Sequence, residues 1–180
     1  MKNKNRILIR NLTLSAMLLA IGMVLPLLTM QLKEIGDSLL PMHLPVLLCG
    51  ILCGWKYGGA IGLMMPFLRS RVFGMPPLYP NAVWMALELM TYGLVIGLVY
   101  RYFPKRGVPA VYVSLVSAML AGRVVWGLAK AVLLGVAGKA FTLELFLVGG
   151  FLDAIPGIVL QLILVPSIVL LAAKLQKRGT

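Results

Sequence analysis

The stretch AGRVVWGLAK, residues 121–130, sets an arginine and a lysine inside a run that otherwise reads as membrane-spanning helix. Its flanks, from Pro109 to Val136, hold no other charge. The chain around it has 180 residues, of which 61% are hydrophobic and only 12% charged, with a mean hydropathy of +0.97. A soluble domain of this size could not hide so much apolar surface, so the fold class is an all-α integral membrane protein. Helices are required because lipid offers no partner for a backbone N–H or C=O. A membrane barrel would alternate with period two, whereas these runs are continuously apolar.

Breaks in the apolar runs predict a six-helix transmembrane bundle forming one domain, 1–180. The helices fall at about 9–30, 41–55, 57–73, 80–103, 109–136 and 145–175. GWKYGG separates the second and third, and PKRGVP makes a basic turn after the fourth. The basic N-terminus resembles a signal peptide, but no small-x-small cleavage site follows, so the first segment is read as a retained helix.

Eleven of the seventeen Lys and Arg residues cluster at one set of helix ends: Lys2, Lys4, Arg6, Arg10, Lys56, Arg101, Lys105, Arg106, Lys174, Lys177 and Arg178. The five acids, Glu34, Asp37, Glu88, Glu144 and Asp153, all fall toward the other side. The positive-inside rule then makes both termini cytoplasmic, which agrees with an even number of spans. Three loops face outward, at 31–40, 70–79 and 137–144. The proline-rich SRVFGMPPLYPNA is read as a stiff connector or as the wall of a binding site.

Depth explains the two cations. A rise of ~1.5 Å per residue from Pro109 puts Arg123 ~21 Å from the cytoplasmic boundary of a ~30 Å core. Counting inward from Pro80, Glu88 lies roughly 12 Å below the outer boundary. The two charges share a level, and an unpaired charge in lipid is costly, so pairing or a wet cavity is expected. Lys130 lies higher, where its stem can snorkel to the headgroups. Three polar stripes meet in the outer half: Asn81, Trp84, Glu88 and Tyr92; Arg123, Trp126 and Lys130; Asp153, Gly157 and Gln161. Aromatic walls around a few polar groups are what a small-molecule pocket needs. The plainer readings are a structural ion pair between two helices and tryptophans in an interfacial belt.

Catalytic signatures are missing. There is no P-loop, no G-x-S-x-G and no H-E-x-x-H. A lone histidine and two thiols, Cys49 and Cys53, build no metal site. His43 is read as a solvated helix-start residue, the two cysteines as small packing residues, and the eleven methionines as filler. No cofactor is indicated. Ala16 and Ala20, four apart in SAMLLA, would let another helix approach closely, and ordinary packing inside the bundle is the plainer reading of that spacing.

Taken together, these features resemble the substrate-binding (S) components of energy-coupling factor (ECF) vitamin transporters. The likeness runs through the Ala16/Ala20 step, HLPVLLCGILCGWKYGGAIGL, GMPPLYPNAVWMALELMTYGL, AGRVVWGLAKAVL and DAIPGIVLQLILVP. The resemblance implies a non-enzymatic subunit of the bacterial cytoplasmic membrane. Such a subunit binds a water-soluble vitamin or similar micronutrient from outside and tips over in the membrane during transport. It docks through its first helix, here Ala16 and Ala20, onto an EcfT-type coupling protein that carries two ATPase subunits. Pocket-facing places of the family fall on Asn81, Trp84, Glu88, Tyr92, Arg123, Trp126, Lys130, Asp153 and Gln161. Arg69, Arg123 and Lys130 point to an anionic ligand such as pantothenate, unless Glu88 and Asp153 neutralise them. The competing readings are a structural membrane scaffold with no ligand, and an intramembrane enzyme using Glu88 or Asp153.

Overall fold

A computed structural model describes residues 2–29, 40–104, 107–136, 138 and 140–178. The expected outer loop over 31–40, with Glu34 and Asp37, lies outside them except for Leu40, as do Lys105 and Arg106 of the basic turn. Seven α-helices are described: α1 (Lys2–Thr29), α2 (His43–Leu52), α3 (Trp55–Phe73), α4 (Val83–Tyr102), α5 (Val108–Val136), α6 (Leu143–Leu147) and α7 (Ile155–Arg178). Wide π-helical turns, Leu78–Ala82 and Val148–Leu152, lead into α4 and follow α6.

Four segments are long and apolar enough to cross a membrane: Lys4–Leu27, Leu78–Tyr102, Val108–Val136 and Ile155–Leu175. The 10-residue α2 is apolar, but at ~1.5 Å per residue it spans about half of a ~30 Å core. The run expected as one helix over 145–175 is divided. Thr142 caps α6 by accepting from the Leu145 N–H, and Gly149, Gly150 and Pro156 favour a break before α7.

The α2–α3 connection turns within two residues because Gly54 adopts φ +101°, a conformation that a side chain would disfavour. It folds α3 back beside α2, and both pack on α4. Helix α4 is the hub, touching α2, α3 and α5. Its closest approach is to α3, where a Cβ built on Gly93 would land on the Gly58 carbonyl. Around this seam lies an apolar core that includes Leu47, Met65, Leu89, Ile96, Leu115 and Val165.

Helix α1 sits at the edge, packed on α2 and α3. Arg69 Nη1 of α3 donates to the Met23 carbonyl (2.8 Å), and Asn11 Nδ2 donates to the Cys53 carbonyl (3.3 Å). Ser15, Leu18, Gly22 and Pro26 are buried, while another face of α1 is exposed, with Leu12, Ala16, Met17, Ala20, Ile21 and Val24 along it.

Candidate functional site

The buried polar residues of α2, α4 and α5 converge on Glu88. Arg123 Nη1 donates to Glu88 Oε1 at 3.0 Å, with the two side chains 4% and 3% exposed. His43 Nε2 stands 3.3 Å from the same oxygen, off the alignment of a hydrogen bond. One carboxylate thus holds the guanidinium of α5 and faces the imidazole of α2. Tyr92, one turn along α4 from Glu88, packs edge-on against His43 with centroids 4.9 Å apart. Its ring lies over Gly122, where a side chain would displace it. Glycine at 122 therefore lets the ring fill the space directly beside Arg123 on α5.

Toward the far end of α5 the site becomes aromatic. Trp126 packs on Phe141 (6.1 Å between centroids) and Phe146 (6.2 Å). The Lys130 ammonium sits 4.5 Å from the Trp126 ring centre and 5.6 Å from those of Trp84 and Phe141. Three elements thus enclose one cation in a cage of ring faces. The Lys130 side chain is half-buried in this seat.

Six buried polar atoms lack a hydrogen-bond partner among the described residues: His43 Nδ1 and Nε2, Arg123 Nε and Nη2, and both amide atoms of Gln161. They lie on α2, α5 and α7, of which α7 packs against each of the other two. Each buried unpaired group costs ~1–3 kcal/mol, so a concentration of six in three residues calls for a reason. Arg123 is the most informative. Nε and Nη2 share one edge of the planar guanidinium, the fork that takes a carboxylate through two parallel hydrogen bonds. Glu88 occupies the remaining nitrogen, Nη1, and so fixes the plane without using the fork.

The other predicted residues are placed as follows. Gln161 is buried, while Asn81 and Trp84 are half-buried at and beside the turn into α4. Asp153 is exposed in the turn before α7. Arg69 is buried, but it is directed at α1 through the Met23 carbonyl and lies 5.6 Å from the Phe73 ring centre. His43 corrects the sequence reading: it begins α2 as expected, yet it is 2% exposed because α4 and its Tyr92 cover it. Phe141 and Phe146 were not foreseen. They lie where no helical period marks a buried face. Among the described residues no cluster of three or more His, Cys, Asp or Glu could hold a metal ion.

A family model described as the ECF transporter, substrate-specific component, matches residues 10–169. The chain belongs to this family. The S component is therefore an integral membrane, substrate-binding transport subunit and not an enzyme. Membership implies a small-molecule substrate and an ECF module with EcfT and ATPases. No curated protein and no solved structure matches the S component significantly.

Proposed function

We propose that this S component captures a small anionic micronutrient of the vitamin type at the outer face of a six-span bundle whose termini are cytoplasmic. The ligand is handed on through an EcfT-type coupling protein driven by two ATPase subunits. The observation that carries the reading is the unused fork of Arg123, buried beneath an aromatic cage and held in plane by Glu88. A carboxylate seated there would gain two charge-assisted hydrogen bonds, and Lys130 would add a second positive charge nearby. His43 and Gln161 offer further donors and acceptors from α2 and α7. Asn81, Trp84, Tyr92, Trp126 and the exposed Asp153 complete the proposed wall. Arg69 serves the site at one remove, by fixing α1 against α3. The orientation is supported by the clustering of Arg10, Lys56 and Arg101 at the end away from Glu88.

Pantothenate is the first candidate, because it is a water-soluble vitamin with one carboxylate. The test is native mass spectrometry of the purified protein, followed by a vitamin panel in detergent. A stoichiometric carboxylate ligand is the expected result. Binding of neutral or cationic vitamins alone would refute the anionic reading, and a protein that stays empty throughout would favour a scaffold locked by the Glu88–Arg123 pair.

Coupling is proposed to use the exposed face of α1. Ala16→Trp with Ala20→Trp should leave ligand affinity within twofold and reduce uptake in cells at least tenfold, since bulky side chains prevent close helix approach. Unchanged uptake would move the docking surface elsewhere.

A further inference from the structure

A cavity of about 350 Å³ opens at the opposite end of the molecule, between the α2–α3 turn and the last turns of α4. Its lining includes Cys53, Gly54, Trp55 and Lys56 from the turn, and Gly97 and Arg101 from α4. Arg101 lies thirteen positions beyond Glu88 along α4, which is ~20 Å of helix, so this cavity is distinct from the site above.

Its electrostatics are one-sided. Lys56 and Arg101 are both exposed, and neither forms an ion pair among the described residues. Each has only an aromatic neighbour, Trp55 at 5.4 Å and Tyr102 at 6.0 Å. A third cation reaches the same turn. Arg10 donates to the Asn11 side chain (3.2 Å), and Asn11 donates to the Cys53 carbonyl on the cavity wall. The described acids, Glu88, Glu144 and Asp153, all belong to the other half of the molecule.

The level of the cavity is also marked. Trp55, Tyr57 and Tyr100 line it, and such aromatic side chains settle at the membrane–water interface. An anion reaching this mouth from the membrane is a lipid headgroup, and basic pockets between spans are known to take phosphate headgroups. The cavity is compact and rimmed by helix ends. It has neither the length nor the unpaired strand edge that an extended acidic peptide would need.

We propose that this cavity binds the phosphate headgroup of one anionic phospholipid, with Lys56 and Arg101 as its cationic contacts. The assignment needs only that this end meets a headgroup layer, so it stands or falls apart from the vitamin reading.

The test is native mass spectrometry of the full chain in detergent with phosphatidylglycerol or phosphatidylcholine of matched chain length. One phosphatidylglycerol should be retained per protein, at least tenfold over phosphatidylcholine. Lys56→Gln with Arg101→Gln should cut that retention at least tenfold, while Lys56→Arg with Arg101→Lys keeps it. Each single Gln variant, altering one exposed side chain, should show an intermediate loss at unchanged Tm. Equal retention of the two lipids, or full retention by the double Gln variant, overturns the proposal. So does complete displacement by millimolar inorganic phosphate, which would assign the cavity to the free anion. Preferential capture of a polyglutamate peptide would assign it to an acidic protein partner instead.

Discussion

Replacing Gly93 with valine is expected to eliminate the folded protein. A side chain at this position meets the Gly58 carbonyl, and that obstacle is backbone. A flexible side chain could swing aside, but two helix backbones at their closest approach have nowhere to go. Overpacking a core costs typically ~1–3 kcal/mol, and a clash that parts α3 from the hub helix should reach or exceed the upper end. Against a total margin of ~5–15 kcal/mol such a change is a large loss. The measurement is the monodisperse peak of a fluorescent fusion on size-exclusion chromatography, together with Tm in detergent. Gly135→Ala is the control. It lies in the same class of apolar helix, its Cβ would meet nothing within 4 Å, and it should gain up to about 1 kcal/mol from helix propensity. If Gly93→Val folds with a wild-type Tm, the α3–α4 seam is not what holds the hub.

The second large effect is on ligand binding, at Arg123. Alanine here would remove the fork and strand Glu88 as a buried, unpaired carboxylate, a loss of ~3–5 kcal/mol in stability. Loss of binding would then be confounded with loss of fold. Arg123→Lys separates the two. A lysine keeps one positive charge for Glu88 but cannot present two parallel N–H groups to a carboxylate. The expected result is a folded protein whose affinity for its anionic ligand falls about 100-fold, near 2.7 kcal/mol. Isothermal titration with the ligand found by mass spectrometry measures it. Wild-type affinity in Arg123→Lys would show that the buried fork of Arg123 does not hold the ligand.

Much of this arrangement is legible before any coordinates. Counting residues inward from Pro80 and from Pro109 puts Glu88 and Arg123 at one depth, and the two do pair. Spacing of four puts Trp126 and Lys130 on one face of α5, and the ammonium lies over that ring. What could not be read depends on how helices dock. His43 follows Pro41 and precedes Pro45, which marks a helix start, but its burial comes from α4. Arg69 is expected in the same half of the bundle as Arg123, yet nothing in its neighbours says that it turns toward the Met23 carbonyl. Phe141 and Phe146 straddle the cap of α6, so periodicity gives them no face. Hydropathy alone makes 145–175 one run, because glycines and a proline interrupt a helix without interrupting its apolarity.

The same helix that carries Glu88 is clamped to α3 at Gly93, five residues away. One side of the proposed site is therefore an anvil, with no slack to yield to a ligand seated there. The opposite side, the Phe141–Phe151 stretch, meets Trp126 through Phe141 and Phe146, and most of its own surface is open. Whatever give the proposed site has is hung on that thin side, so the shape of a guest would be judged against α4 and accommodated by the rings.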